Sequence, residues 1–506
     1  MTLNIRLPIS KRHGGKGEVL RYDAAIIGAG ADGLAAAATL VRSGLKVIVL
    51  ERSDKPGGRC ITREFHPGFH ASPFCDELPP IPAEIFWSLD LARLGTAFVP
   101  SPASTALWPD RAKALAGSSG WFWSQRTALV EAALARSEKD VAPQRAASFW
   151  TRSSPAREAW PGEAWATRSL SDLLADQISD NDARAGTMAE VLGARAAHPD
   201  LVGSALHLLA PPSGSGLVAG GLQRLADSLL ASAQGAEILC GLEVTDIRRQ
   251  GGKITGVRLA DGTEIAARAI ISTLDLKRTF LSLFAWSDLP PAVANRVGSF
   301  RMAGGTARLL FALDSLPERP AFARGDLFEG GIHIEPDADR VGVAYAAWRA
   351  STIAPHLPIT LRVVSDPRCS AIGTAVMTAT VGCVPGRLFD GSWTHEKRDA
   401  LRERVVASIE RVLPGTAARI RASELIVPPD MEESLGCTDG DLWGGEIASD
   451  QMLGFRPWLD YAVPRTPVDG LYLAGPSTAI GMLGTCVSGV FAARAVVADL
   501  KARRLK

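Results

Sequence analysis

Three glycines and one glutamate are the residues of this chain whose types and spacing most directly imply chemistry. Gly28, Gly30 and Gly33 are spaced G-x-G-x-x-G, and Glu51 follows 23 residues after Gly28. Gly28 permits a sharp turn, Gly30 lets a pyrophosphate approach the backbone, and Gly33 lets a helix pack on a strand. A helix N-terminus behind such a turn offers unpaired N–H groups and a positive dipole end to phosphates. A carboxylate at Glu51 can accept hydrogen bonds from both ribose hydroxyls. The pattern reads as a dinucleotide site.

The elements that must position these residues are written in residues 23–51, DAAIIGAGADGLAAAATLVRSGLKVIVLE. Ala24–Ile27 is a first strand and Leu34–Val41 an alanine-rich helix stopped at Gly44. Lys46–Leu50 is a second strand ending at Glu51. Beyond it come Gly57, Gly58 and Arg59. A second glycine pair with an arginine is not needed for NAD. It suits FAD, where another loop folds over the pyrophosphate and Arg59 partly neutralises it.

With these motifs in view, the chain resembles the phytoene-desaturase-like FAD oxidoreductases of the amine-oxidase-type flavoprotein superfamily. The resemblance rests on the fingerprint, on Gly57-Gly58-Arg59 and on His66-Pro67-Gly68-Phe69. It extends to Gly220-Gly221 at a helix start, to Glu237–Leu259 and to the closing stretch from Gly470 through Gly489. Asp441–Glu446 and Arg456-Pro457 are similar to the branch near the beta-carotene ketolases and the mitochondrial pyridine nucleotide-disulfide oxidoreductase domain-containing relatives. The resemblance implies further FAD contacts at Asp32, Arg52, Val244, Gly475, Ser477, Met482 and Leu483. It also implies hydride removal from a carbon of an apolar substrate to flavin N5. An amine oxidase, a carotenoid-ketolase-like enzyme and a flavin-binding interaction protein without turnover are the alternatives. The relatives carry His-Pro, three glycines and a Gly-Ala-Pro-Gly turn where this chain has Ala479-Ile480-Gly481-Met482-Leu483-Gly484 and Cys486–Gly489. The bulkier residues would narrow or grease the space over the flavin.

No catalytic residue follows from the sequence. His66 and His70 are the best of a weak set of bases, and Glu446 is a candidate pocket carboxylate or a turn stabiliser. Cys486 reads as a small packed hydrophobe rather than a reactive thiol. A disulfide reductase is excluded, because no paired C-x-x-x-x-C and no second nucleotide fingerprint are found.

The chain has 506 residues, with 55 basic and 54 acidic side chains. That balance argues against nucleic acid as a partner. The seven cysteines show no C-x-x-C pair and no zinc spacing, so we expect reduced thiols, no metal and a cytoplasmic location. No apolar run reaches transmembrane length; peripheral membrane contact is left open. Residues 1–19 read as a flexible N-terminus. The electron acceptor, oxygen or a quinone, and the oligomeric state are not fixed.

The expected fold class is α/β, with a discontinuous Rossmann-like FAD-binding domain and a second α+β substrate domain. The first comprises 20–80, 215–282 and 463–506, the second 81–214 and 283–462. Helix Gly221–Ala233 leads into Ala236–Cys240, Glu243–Arg249, Ile254–Leu259 and Glu264–Ile271, patterned as a β-meander. Ala307–Leu313, Gly342–Trp348 and Thr374–Val384 read as strands of the substrate domain. Thr394 should cap a helix burying Leu401, Val405, Ile409 and Val412. The tryptophans at 108, 121, 123, 150, 160 and 165 read as core filler on amphipathic helices, with an aromatic lid as the alternative.

Overall fold

The computed structural model describes residues 20–99, 103–115, 124, 126–128, 131, 165–193, 195–210, 216–323, 327–364, 369–452, 456–457, 464–478, 481 and 484–504. Strand β1 (Leu20–Ile27) runs into helix α1 (Ala31–Arg42) and strand β2 (Val47–Leu50). The hairpin β3 (Arg63–His66) and β4 (Phe69–Ala71) follows, then α2 (Ala83–Ser88) and the short strands β5 (Phe98–Val99), β6 (Thr105–Leu107) and β7 (Ala112–Ala114). Next come α3 (Leu170–Gln177), α4 (Asn181–Leu192), β8 (Leu217–Val218), α5 (Leu222–Ser232) and β9 (Glu237–Leu239). The chain continues through β10 (Val244–Gln250), β11 (Lys253–Leu259), β12 (Glu264–Ser272), α6 (Pro291–Ser299), β13 (Thr306–Leu313), β14 (Ile332–Ile334) and α7 (Ala338–Arg349). It then forms β15 (Ile359–Val364), β16 (Ala375–Gly382), α8 (His395–Val412), β17 (Ile420–Ile426), α9 (Pro428–Leu435), β18 (Leu471–Leu473) and α10 (Val487–Arg504).

Two seven-stranded sheets organise these elements. The first has the order β10-β11-β12-β1-β2-β9, with β18 also paired to β12. β1 is parallel to β12 and to β2, and every residue from Ala24 to Ile27 is buried. An all-apolar run of this kind is what a parallel strand covered on both faces requires. Ala35–Ala38 are fully buried, so α1 lies close to the helices α5 and α10 beside it.

Two sequence expectations need correction. The meander has three strands, β10 to β12, and not four. The segment at 236–240 forms β9, which pairs in parallel with β2 instead. Its partner lies almost two hundred residues away, a pairing that local turn chemistry does not reveal. Gly342–Trp348 is not a strand but lies within α7. The Asp337 carboxylate accepts from the Arg340 N–H as its N-cap, and Val341, Ala344 and Trp348 form the buried face at helical spacing.

The second sheet has the order β17-β13-β16-β15-β14-β6-β7. β13 is buried along its whole length. α8 begins at the expected cap, where Thr394 accepts from Lys397 N–H, and buries Leu401, Val405, Ile409 and Val412. Trp108 and Trp165 are buried, as core filler should be, but Trp108 lies between β6 and β7 and not on a helix; Trp121, Trp123, Trp150 and Trp160 lie outside the described residues.

Candidate active site

The first cavity opens at the carboxyl ends of β1, β2 and β12 and encloses about 1480 Å³, open solvent included. This is the crevice where an open parallel sheet binds its ligand. Gly28 has φ +99°, and a Cβ there would lie 2.2 Å from Thr273 Oγ1. Gly30, the N-cap of α1, is the opposite case: a Cβ there would meet nothing within 4 Å. The open space in front of this helix N-terminus fits a pyrophosphate.

Of the sequence candidates, Gly28, Gly30, Asp32, Glu51, Arg52, Gly58, Arg59, Val244 and Gly475 line this cavity. Gly33 and Ser477 do not. Gly33 packs under the turn, where its missing Cβ makes room for the Gly28 carbonyl, and buried Ser477 accepts from Leu276 N–H at 3.3 Å. Met482 and Leu483, like Ala479 and Ile480, lie outside the described residues.

Glu51 is already engaged by the backbone. Oε2 accepts from Ala29 N–H at 2.7 Å and Oε1 from Ser53 N–H at 2.9 Å. Each oxygen keeps a further acceptor site, so the carboxylate can fix the glycine turn and still accept from a ribose. Charge-assisted hydrogen bonds contribute about 1.5–3 kcal/mol. Glu51→Ala is therefore expected to lose about tenfold or more in FAD affinity, read by titrating the apo variant with FAD. Unchanged affinity would leave Glu51 a tie between strand ends only.

Asp32 joins the two ends of the described chain. Its Oδ1 accepts from Ser488 Oγ at 2.7 Å and from Gly489 N–H at 3.2 Å, near the start of α10. Burial pushes its pKa up. Arg59 donates from Nη1 to the Leu442 carbonyl at 2.7 Å and keeps other N–H groups for a phosphate.

The sequence reading missed two cavity carboxylates, Asp275 and Asp441. Asp275 comes just after β12 as Glu51 comes just after β2, so its position was a usable signal. It accepts from Arg278 N–H and from the N–H and hydroxyl of Thr438, tying the loop after β12 to the segment after α9. Asp441 lies in the Asp441–Glu446 motif and accepts from the N–H groups of Trp443, Gly445 and Ala303. Glu446, the carboxylate singled out from that motif, pairs instead with Arg301 at 2.7 Å and is absent from the cavity lining. Buried Arg456 holds the same loops by donating to the carbonyls of Trp443, Gly444 and Pro476.

Burial raises Asp441 from its ordinary 3.8 to about 6, against its backbone donors and Arg456, with Asp275 adding to the rise. A carboxyl raised in the folded state contributes stability that is full below about pH 4 and is lost as pH rises through about 6. Asp441→Asn should flatten the decline in thermal stability over that window. Parallel profiles for variant and wild type would refute the assignment.

A second cavity, of about 1150 Å³, shares Arg59, Leu78, Pro79, Leu442, Pro476 and Gly481 with the first. Its remaining walls come from the second sheet, the end of α4, the segment Phe74–Glu77 after β4, Ala210 and Trp443. His66 and His70 belong to the β3–β4 hairpin and line neither cavity. Cys486 is fully buried, with a thiol pKa pushed well up by burial, and packs as a small apolar group. All seven cysteines are free, and no metal-holding cluster occurs among the described residues.

Residues 33–307 match the family model described as flavin containing amine oxidoreductase. The chain is 27% identical to the rat "Pyridine nucleotide-disulfide oxidoreductase domain-containing protein 2", covering 95% of this chain and 94% of that protein. It is 26% identical to the neurosporene-forming phytoene desaturase of Rhodobacter capsulatus, over 90% of each. The fold is similar to that of cyclohexylamine oxidase from Brevibacterium oxydans. There the TM-score is 0.58 at 17% identity, over 96% of this chain and 100% of the other.

Proposed function

We propose, from the premise that this chain belongs to the flavin containing amine oxidoreductase family, that it oxidises a small molecule with an apolar carbon skeleton held in the second cavity. The chain is an FAD-dependent oxidoreductase of the amine oxidase and phytoene desaturase type. When bound, FAD supplies two-electron chemistry, accepting hydride from a substrate carbon at N5. The observation that carries the proposal is the wall shared by the two cavities, where Leu442 and Pro476 face both.

The residues of the chain divide the work as follows. We assign Gly28, Gly30, Gly58 and the N-terminus of α1 to the pyrophosphate, with Arg59 as its counter-charge. Glu51 takes the ribose, and Arg52, Val244 and Gly475 complete the walls. Asp32 lines the cavity and ties the start of α10 to it, Ser477 holds its loop from behind, and Met482 and Leu483 keep the contacts that the resemblance implies. Phe74, Leu78, Leu361, Leu442 and Trp443 give the second cavity apolar surface that excludes water and orients the substrate. No side chain is assigned as a general base. The domain division at 20–80, 215–282 and 463–506 against 81–214 and 283–462 belongs to the same proposal, as does a cytoplasmic location. No helix among the described residues is long and apolar enough to cross a membrane.

An amine oxidase reading would need a carboxylate ready to receive a cation. The two carboxylates of the second cavity are occupied, Asp76 by Arg308 and Glu77 by Arg362. That favours dehydrogenation of a carbon skeleton. Anaerobic mixing of the holo-protein with a panel of apolar and amine compounds tests the reading. Bleaching of the flavin band by the former supports it; bleaching by amines alone, or by none, overturns it.

A nicotinamide enzyme of the two-nucleotide kind needs a second phosphate-binding turn, and the sequence carries one. NADH and NADPH are therefore expected to leave the flavin oxidised under anaerobic conditions, with electrons leaving to oxygen or a quinone. Rapid bleaching by either would move the protein toward the reductases.

A further inference from the structure

The floor of the second cavity is a stretch of the second sheet, and it is polar. Thr306, Arg308, Thr360, Arg362 and Thr380 line it. Alternate residues on the same strands, Leu309, Ala379 and Val381, take the opposite face and are buried in an apolar core. The strand register sets four polar side chains in one row. His333 of β14 is opposite Thr360 of β15, Thr360 is opposite Thr380 of β16, and Thr380 is opposite Arg308 of β13. Residues opposed in this way share a face, with Cβ atoms about 4.5–5.5 Å apart.

Two hydroxyls of this row keep hydrogen-bonding capacity for a ligand. Thr380 Oγ1 accepts from Arg308, and its own O–H has no acceptor among the described residues. Thr360 Oγ1 lies 3.0 Å from His333 Nδ1. His333 is buried, burial lowers its pKa to about 4, and its Nε2 has no partner among the described residues. A neutral imidazole can carry its proton on either nitrogen. Thr360 therefore accepts from a ligand when Nδ1 takes its proton, and donates to a ligand when Nδ1 carries one. Together the two threonines can donate to one ligand oxygen and accept from it.

The charges beside this pair disfavour an ion. Arg308 is matched by Asp76, and Arg362 by Glu77. An anionic ligand would compete with those acids for their arginines, and an ammonium would compete with the arginines for their acids. An uncharged oxygen group disturbs neither pair. We propose that the substrate carries such a group, a hydroxyl or a carbonyl, seated on Thr360 and Thr380, with its apolar carbon skeleton running toward Leu442 and Pro476. This deepens, and rests on, the reading of the second cavity as the substrate site.

The test uses the holo-protein and matched straight-chain compounds from hexyl to dodecyl: alkan-1-ols, alkan-2-ones, 1-chloroalkanes, alkylamines and carboxylates. The chloroalkane has the bulk of the alcohol without its hydrogen bonds. Affinities are read by calorimetry, and the flavin spectrum is followed alongside. Alcohols or ketones are expected to bind saturably and more tightly than the amine and carboxylate of the same length, and the better of the two series identifies the group as hydroxyl or carbonyl. Thr380→Val should weaken that series about tenfold and leave the chloroalkane within about twofold of wild type. Thr380→Ser, which keeps the hydroxyl, should retain most of the affinity. No saturable binding of either oxygenated series, tighter binding of the amine or carboxylate, or a folded Thr380→Val that treats alcohol, ketone and chloroalkane alike would overturn the proposal. If Thr380→Val does not fold, Thr360→Val is read in the same way, and if neither folds the wild-type ranking decides. Bleaching of the flavin by apolar compounds together with an indifferent Thr380→Val would sink this proposal and leave the dehydrogenase reading standing. Hydroxyl-dependent binding that leaves the flavin spectrum untouched would uphold the oxygen site and refute the place of the cavity beside the cofactor.

Discussion

Asp76→Ala is expected to lower the unfolding free energy by about 3–5 kcal/mol, the usual consequence of removing one partner of a buried ion pair. Arg308 sits in β13 with its side chain 1% exposed, and both terminal nitrogens reach Asp76 at 2.7 Å. Asp76 also accepts from Thr378 Oγ1 at 2.9 Å, and Arg308 bonds Thr380. Burial alone would raise the pKa of Asp76; the Arg308 charge and hydrogen bonds, with Arg362 and Thr378, outweigh it and hold the group below its ordinary value. Removing Asp76 leaves a cation in the core of the second sheet. Replacing both partners, Asp76→Leu with Arg308→Met, should recover most of the loss, because neither charge then needs compensation. Chemical denaturation of wild type, the single variant and the double variant decides the matter. A single variant within about 1 kcal/mol of wild type would show the pair to be a surface-like bridge.

The second large effect separates two glycines of one motif. A Cβ at Gly33 would lie 2.0 Å from the Gly28 carbonyl oxygen, a contact with backbone that no rotamer can relieve. Gly33→Ala should push α1 off β1, costing more than the about 1–3 kcal/mol of ordinary overpacking, and should reduce both soluble yield and FAD content. A Cβ at Gly30 meets nothing, so Gly30→Ala should fold with near-normal stability and yet lose FAD affinity, its methyl standing in the space proposed for the pyrophosphate. Thermal unfolding of the apo-proteins, followed by FAD titration, reads both. Equal behaviour of the two variants would refute the distinct roles given to them.

The strand–turn–helix–strand unit was legible because its determinants are local: an apolar run, glycines at a fixed offset and an alanine-rich stretch with a stop. The α1 start moved from Leu34 to Ala31, since Gly30 caps the helix from within the motif. Local pattern misled at α7, where GVAYAAW has no polar residue to mark the helical period; the deciding signal was Asp337, five residues upstream. It also misled at β9, whose neighbour is chosen by the sheet rather than by the turn beside it. In the site, the glycine turns and Glu51 could be read from spacing. The Asp76–Arg308 pair could not, because its members are 232 residues apart and neither stands in a recognisable motif. Asp441 was within a motif already singled out, but sequence could not show which of its two acids turns inward.

The pairing of β12 with β18 has a consequence for how the protein is made. Ile270–Ser272 take Leu471–Leu473 as their neighbour, and 199 residues separate Ser272 from Leu471. At about 5–20 residues per second, a ribosome needs about 10–40 s to span that gap. Through this interval Ile270–Ser272 at the end of nascent β12 lack the neighbour that β18 supplies, and the groove in front of α1 lacks the wall that Gly475 and Gly484 provide. Bare edges of this kind invite pairing with other chains. Full enclosure of the cofactor groove must therefore be a late event in biosynthesis, and a bound flavin would add its stabilisation only to chains that have reached that stage.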